Sequence, residues 1–413
     1  MVGTEQLFET ALGLSDPWFV RSIRFDVDNK TLTIDVDFKS GSRFALAGEN
    51  EEHPVHDTQT QRLRHLNFFQ HECFLEVRLP RVRLADGGVR LVKPDWVGHL
   101  SGFTLLFEAL ILSLCREMPF LAVARIVNIS WHRVHAICKK YVDDALAQAD
   151  RSSETRIAVD ETSSQKGHDY VTLVANAQKR QVVFVAEGKS SDTIKAYAED
   201  LKMHGGLAEN IEEVSIDMSK AFIKGVKENL PNARITFDKF HVVGHASKAV
   251  DQTRRVEQKT DPTLKGLRWT ILKNPEKLKA EQRADLEALK TQMVSKRTAR
   301  AWLYREQLRV ILDRKQIHVM RRALQQWCTN VRRSLVEPMK DVAAMILAHL
   351  EGIVAWARTR QTNGFLEAIN GLFQAAKRRA RGYGRFSTMR TVIFLIAGKL
   401  DFSRLNPYAY EPT

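Results

Sequence analysis

The 413 residues are 44% hydrophobic and 27% charged, which excludes a disordered chain, and the length is more than one compact core holds, so two to four domains are expected. The sequence does not open with a basic start and an apolar core, and its longest apolar run, residues 103–115, carries Glu108 and is too short for a bilayer, so neither secretion nor a membrane role is expected. The net charge of +14 is one-sided: residues 1–253 carry −4, residues 254–360 carry +13 and residues 361–413 carry +5, which points to a polyanion, nucleic acid above all.

Within residues 19–38, FVRSIRFDV and TLTIDVDF alternate apolar and polar residues around Asp28-Asn29-Lys30, which predicts a β-hairpin. CFLEVRLPRVRL and GVRLVKP, joined by Asp86-Gly87-Gly88, predict a second strand pair. From residue 101 the period becomes helical. One helix is expected over residues 103–116, a second from Met118-Pro119 to a break at Asn128, and a third, WHRVHAICKKYVDDALAQ, capped by Ser130. Two short helices with a tight break have the outline of a helix-turn-helix. The third helix would offer Trp131, His132, Arg133, His135 and Lys139 to DNA from near its start.

A different pattern begins near Thr155. RIAVDET, YVTLVANA and QVVFVAEG read as three strands, and SDTIKAYAEDLKMHG as a helix stopped at Gly205-Gly206. IEEVSIDM and ARITFDKF are two more strands, each followed by a helical stretch, SKAFIKGVKENL and HVVGHASKAVDQTRR. The order β-β-β-α-β-α-β-α predicts a mixed sheet with helices on both faces, the element order of the ribonuclease H-like fold. Residues 254–360 show only helical patterns, and Trp269, Trp302, Trp327 and Trp356 are expected in the core of that part. NGFLEAINGLFQAAKRRARGYGRF reads as a late helix starting at Thr362 or Asn363 and ending at Gly382. The four cysteines lie far apart with no Cys-x-x-Cys, so buried free thiols are expected and no disulfide or zinc framework.

Phosphoryl transfer on DNA needs positioned divalent cations, roughly 3.5–4 Å apart in two-metal sites, and hard cations take carboxylate oxygens. Asp160 follows the apolar run Ile157-Ala158-Val159 and so ends the first strand of this part; Asp217 follows Val214-Ser215-Ile216 and ends the fourth. Neighbouring strands of such a sheet would bring both to one edge, and Glu367 would reach that edge from the first turns of the late helix. Positions 367, 370, 371, 374 and 378 share one face of that helix. Lys377, Arg378, Arg379 and Arg381 are candidates to hold DNA phosphates. Glu161 competes with Asp160, since adjacent strand residues face opposite sides, and spacing alone does not choose between them.

The stretches RIAVDETSSQKGHDYVTLV, VSIDMSKAF followed by TFDKFHVV, and NGFLEAINGLFQAAKRRARGYGRF resemble insertion-sequence transposases of the ISL3 family, in the DDE class. The resemblance covers nearly the whole chain. It implies Asp160, Asp217 and Glu367 as the three catalytic, metal-holding carboxylates, in preference to Glu161. Asp238-Lys239-Phe240-His241 resembles an Asp-x-x-His motif of several DDE groups, which adds Asp238 and His241 to the site. Relatives carry an N-terminal zinc ribbon; here the matching positions appear as Phe44, Ala47, Leu84 and Gly87, none a ligand, so a ribbon that replaced zinc with apolar packing is expected.

The organisation that follows is an α/β multidomain chain. A β-rich, degenerate zinc-ribbon-like DNA-binding unit fills residues 1–100 and a helix-turn-helix residues 101–150. The first part of a ribonuclease H-like core spans residues 151–253, a basic all-helical insertion residues 254–355, and the completion of the core residues 356–413. The implied activity is Mg²⁺-dependent cleavage and strand transfer, with Mn²⁺ able to substitute and no zinc. Lys166 and His168, after the first core strand, would approach the phosphate. The implied partners are double-stranded DNA, as transposon ends and as target, and further copies of the chain in a dimer or higher oligomer; the expected place is the nucleoid in the cytoplasm. The alternatives are a transposase-derived repressor that binds without cutting, and a nuclease of the same fold that cuts without joining.

Overall fold

In the computed structural model, which describes residues 3–46, 48–163, 170–292, 296–359 and 364–409, the chain divides into a first unit, Met1–Gln148 with Ala376–Thr413, and a second, Ala149–Ala375. The first unit opens with helix α1 (Thr4–Leu12), closed by Gly13 at φ 65°, a left-handed cap that glycine adopts without strain. Six strands follow: β1 (Trp18–Asp26), β2 (Thr31–Phe38), β3 (Arg43–Ala45), β4 (Glu52–Arg64), β5 (Glu72–Arg83) and β6 (Val89–Leu91). They form one sheet in the order β1-β2-β5-β4-β3, with β6 on β5. Strands β2 and β5 run parallel, and the other pairs are antiparallel.

Alternation decides which face is buried. Ile34 and Val36 of β2, with Leu75, Val77 and Leu79 of β5, pack with Leu63 and with Phe8 of α1. Phe44 is buried against Phe38, Val82 and Val92, beside Trp18. The mixed six-stranded sheet, with strands of twelve and thirteen residues, gives the expected zinc-ribbon outline no support. Ala47 lies outside the described residues, and Leu84 and Gly87 sit at the turn before β6.

Helices α2 (Leu105–Glu117), α3 (Phe120–Ile126) and α4 (Trp131–Ala147) complete the N-terminal part. Thr104 caps α2 by accepting from Phe107 N–H, and Ser130 caps α4 by accepting from Arg133 N–H. Pro119 stands just before α3, and Asn128, at φ 52°, turns the chain into α4. Glu108 is wholly buried and accepts from the backbone N–H of His99 (3.0 Å) and Leu100 (2.8 Å) and from the Tyr141 hydroxyl (2.7 Å).

The second unit holds β7 (Arg156–Ser163), β8 (Tyr170–Asn176), β9 (Gln181–Glu187), α5 (Ser191–Met203), β10 (Glu213–Ile216), α6 (Lys220–Asn229), β11 (Arg234–Phe237) and α7 (Lys239–Glu257). The sheet order is β11-β10-β7-β8-β9. Strands β7, β10 and β11 run parallel, and β8 and β9 are antiparallel. Successive residues of β8, which face opposite sides, are all buried from Val171 to Asn176, so both faces of the sheet are covered.

Further helices follow: α8 (Arg268–Leu272), α9 (Ala280–Lys290), α10 (Arg297–Leu312), α11 (Ile317–Arg332), α12 (Glu337–Ala348), α13 (Leu350–Thr359) and α14 (Gly364–Arg379). Trp302, Trp327 and Trp356 are buried among them, whereas Trp269 is 57% exposed beneath Arg268. The boundary between the units falls inside α14, after Ala375. Residues 356–413, expected to complete one core, are therefore shared. From Ala376 onward, including α15 (Phe386–Ala397), they belong to the first unit. Arg390 there pairs with Asp143 at 2.8 Å, and buried Asn406 donates to the Leu105 carbonyl and the Tyr141 hydroxyl. The four cysteines are free and buried. No single helix among the described residues is long and apolar enough to cross a membrane.

Candidate active site

Strand β10 lies between β7 and β11, and its register fixes the site. Val214 pairs with Ile157 and Ile235, and Ser215 with Ala158 and Thr236. Asp217 follows one residue after the last pair with β11, Ile216 with Phe237, and two after the last pair with β7, Ser215 with Ala158, so Asp160, Asp217 and Asp238 all lie just beyond the last parallel pairs. The apolar residues before each aspartate are drawn into the sheet, which leaves the three acids in a row where the parallel pairing stops. Contrary to the sequence expectation, Asp160 does not end its strand. β7 continues to Ser163 along β8, and only its pairing with β10 stops at Ala158.

The three aspartates have different surroundings. Asp238 is fully buried and caps α7, accepting from Phe240 N–H at 2.8 Å. Asp217 is half-buried and accepts from Ser219 N–H at 2.9 Å. Asp160 accepts from Glu161 N–H at Oδ1 (2.9 Å) and from Asn370 Nδ2 at Oδ2 (2.7 Å). Burial first, then the charges of Asp217 and Glu367, push its carboxyl up to about 6, against the Glu161 N–H and His241, which pull it down. Glu161 turns instead to Lys189, at 3.7 Å. The alternation of side chains along β7 thus separates the two rivals, with Asp160 on the side of the other acids.

Helix α14 packs along β7 through one face. Leu366, Ile369 and Phe373 are buried. Asn370 reaches Asp160, and one turn on, Gln374 Nε2 donates to Thr162 Oγ1 (2.9 Å) and to the Ser163 carbonyl (3.1 Å). Glu367 lies one turn before Asn370 on the same face and is exposed.

His241 and His245 stand four residues apart on α7. Burial, then Lys248 and His241, hold His245 below the usual histidine range, while Asp217 opposes them. Sequence reasoning missed His245, although its spacing from His241 was a signal. Two polar atoms of the cluster, His241 Nε2 and Asn370 Oδ1, are buried without a hydrogen-bond partner. Among the described residues no group of three His, Cys, Asp or Glu side chains forms a ready metal cage. What stands here is an open set of hard oxygen donors with two unused buried polar atoms. Such a set suits a hard cation that keeps positions for substrate and water. Lys166 and His168 lie outside the described residues.

The other expected DNA contacts lie in the first unit. Arg133 sits over the Phe103 ring at 4.1 Å and bonds the Ser101 carbonyl, and Lys139 pairs with Asp143. His135 stacks on Trp131 at 5.2 Å. All three have partners within the unit; Arg133 and Lys139 are exposed, as is His132, and His135 is half-buried. On α14, Arg378 is exposed, Lys377 is half-buried and Arg379 donates to the Glu117 carbonyl at 3.2 Å. Arg381 follows in a left-handed turn at φ 59°.

A transposase family model of the ISL3 type matches residues 157–393, more than half of the chain, and the model for the helix-turn-helix domain of transposase family ISL3 matches residues 92–142. The chain belongs to the ISL3 family of transposases. The transposase for insertion sequence element IS1001 of Bordetella parapertussis is 29% identical over 340 residues, 80% of this chain and 82% of that one. The transposase for IS1557 of Mycobacterium tuberculosis is 28% identical over 349 residues, 78% of each. Residues 92–142 are thus the DNA-binding helix-turn-helix of an insertion-sequence transposase, and the row of acids lies inside the match to the transposase model.

Proposed function

We propose that this transposase binds the terminal inverted repeats of its element and cuts and joins DNA at Asp160, Asp217 and Glu367, on a ribonuclease H-like core. The observation that supports the reading is that the charges of Asp217 and Glu367 both act on Asp160, together with the 2.7 Å bond from Asn370, one turn from Glu367, to Asp160. The sheet order, with an antiparallel β7-β8-β9 side and a parallel β7-β10-β11 side, supports the fold reading. The division of labour follows the chain: residues 1–150 recognise the ends, residues 151–253 and the start of α14 hold the chemistry, and the basic helices of residues 254–355 hold flanking or target DNA.

Asp160, Asp217 and Glu367 would hold a pair of Mg²⁺ ions, for which Mn²⁺ would substitute, and such a pair activates the attacking oxygen and neutralises the leaving one. Water attacks the phosphodiester at the element end and the bond to the 3′-oxygen breaks, leaving a 3′-hydroxyl. That hydroxyl then attacks a target phosphodiester, forming a new P–O bond and releasing the target's own 3′-hydroxyl. Asn370 fixes the Asp160 carboxylate. In this reading His241, whose buried Nε2 has no hydrogen-bond partner, would donate to a phosphate oxygen, and Asp238 would hold the start of α7 that carries it. Two ends must be paired, so a dimer or larger assembly on DNA is part of the proposal.

The test is cleavage and joining in Mg²⁺ of DNA carrying the element's ends, by the intact protein and by Asp160→Ala, Asp217→Ala and Glu367→Ala. Intact protein that cuts and joins, with variants that bind but do neither, supports the reading. Variants as active as the intact chain refute the three-carboxylate site, and tight binding without cutting by any of them makes this an end-binding protein.

A further inference from the structure

Two groups of residues far apart in sequence line one cavity of about 550 Å³ within the first unit. From the helix-turn-helix come Arg116, Arg125, Trp131 and His132. From the segment after residue 376 come Arg379, Arg381, Tyr383 and Arg385. The volume falls in the range of roughly 300–1,000 Å³ that holds a small ligand. A duplex is too wide to enter it, whereas one nucleotide is not.

The lining has the chemistry of a nucleotide. Five arginines face a single acid, Glu117, and Arg379 bonds the Glu117 backbone carbonyl rather than its carboxylate. Arg125, Arg381 and Arg385 form no ion pair with any described carboxylate. A cluster of uncompensated guanidinium groups is costly unless an anion joins it, and guanidinium matches phosphate in bidentate geometry. The wall beside them is aromatic. Trp131 stacks nearly parallel on His135, with 8° between the rings, and Phe120 tilts against both at 6.3 and 5.9 Å. Burial keeps His135 below its ordinary pKa, so this stack is uncharged at neutral pH and offers a fixed flat surface to a base.

We propose that this pocket receives one unpaired nucleotide of the bound DNA, its phosphate on the arginines and its base against Trp131. A base taken out of the stack costs little where it is already unpaired, and an aromatic platform repays that cost. The inference rests on the transposase binding DNA and does not depend on the three-carboxylate site.

The experiment uses the full-length protein at fixed salt, since phosphate contacts make affinity salt-dependent. A short duplex with one unpaired 2-aminopurine is compared with the same duplex fully paired, by anisotropy and by 2-aminopurine emission. The expected result is binding of the unpaired form about tenfold tighter or more, as one base stack supplies, with quenched emission. Arg125→Gln and Arg385→Gln, both at exposed positions, and Trp131→Ala should each bring the affinity ratio towards one. Asp217→Asn should keep it, which separates this proposal from the cleavage reading. Equal affinity for the two duplexes overturns the proposal, as does a ratio that the three pocket variants leave unchanged. Binding of free dAMP without a preference for the unpaired duplex would mean a soluble nucleotide is the ligand, and overturns it too.

Discussion

The side-chain amide of Asn370 donates to Asp160 Oδ2 at 2.7 Å, tying the helix of Glu367 to β7 across 210 residues of sequence. The other Asp160 oxygen accepts the N–H of Glu161, so both oxygens have a fixed direction before any cation arrives. Groups that orient a metal ligand typically matter about 10- to 100-fold in affinity or activity. Asn370→Ala should therefore lower Mg²⁺-dependent cleavage by about that factor and raise the Mg²⁺ needed for half-maximal rate, with end binding retained. Asn370→Asp should do more. A further negative charge beside Asp160 raises its carboxyl again, so the acid limb of the pH–rate profile should move upward. A profile identical to that of the alanine variant would refute this account.

Glu161 and Asp160 are adjacent acids with opposite expectations. Glu161 faces Lys189, and a partly exposed pair of this kind contributes about 0–1 kcal/mol. Glu161→Gln should leave strand cleavage within about fivefold, which is that energy expressed as a rate. Asp160→Asn should remove it by a factor on the order of 10³ or more, as loss of a transition-state stabilising group does. Gel assays of the two variants on one substrate decide this, and equal losses would reassign the first carboxylate.

The raised carboxyl of Asp160 has a consequence for stability. Its folded-state pKa, about 6, lies well above the ordinary aspartate value of 3.8. Such a group stabilises the fold fully below the unfolded value, and the contribution is lost as pH rises from about 4 through about 6. That elevation corresponds to a penalty of about 2–3 kcal/mol at neutral pH without metal. Asp160→Asn should therefore melt higher than the intact chain at pH 7.5 in a chelator, and the gap should close near pH 4. Mg²⁺ should narrow the gap at pH 7.5, because binding to the folded state stabilises the intact chain. A gap that is constant from pH 4 to 8 would contradict the assignment.

The sequence made some of this legible and hid the rest for identifiable reasons. The runs before Asp160 and Asp217 were readable because both strands are buried on both faces and therefore continuously apolar. Ser130 announced α4 through its capping chemistry. By contrast β4 passed unread, since EHPVHDTQTQRLR is mostly exposed and carries few apolar residues to alternate. Phe44 reads from sequence as an apolar replacement for a zinc ligand, but the sheet around it depends on the parallel pairing of β2 and β5, which no local pattern encodes. The course of residues 376–413 was also hidden. It is decided by Asn406 and Arg390 meeting partners more than two hundred residues earlier. In the site, Asn370 and Gln374 could be placed on one helix face, but their partners on β7 could not.

The helix-turn-helix depends on one buried acid. Glu108 receives three hydrogen bonds, from His99 N–H, Leu100 N–H and the Tyr141 hydroxyl. These tie the loop before α2 to α2 and α4. Glu108→Ala would leave those donors buried and unpaired, at about 1–3 kcal/mol for each buried group left unsatisfied. Gly98 tests the same place from the other side. A Cβ there would meet Glu108 Oε1 at 2.7 Å and the Phe103 carbonyl oxygen at 2.8 Å, so Gly98→Ala has to displace backbone as well as a carboxylate. A loss of about 3 kcal/mol in a unit of this size lowers its melting temperature by roughly 6–12 °C. Calorimetry of the full chain should show one transition moved by about that much in both variants. End binding should fail at the lower temperature, while Glu108→Gln, which keeps one acceptor oxygen, should fall between. If Glu108→Ala melts with the intact protein, the three bonds carry no net stability and the loop is held by its apolar contacts alone.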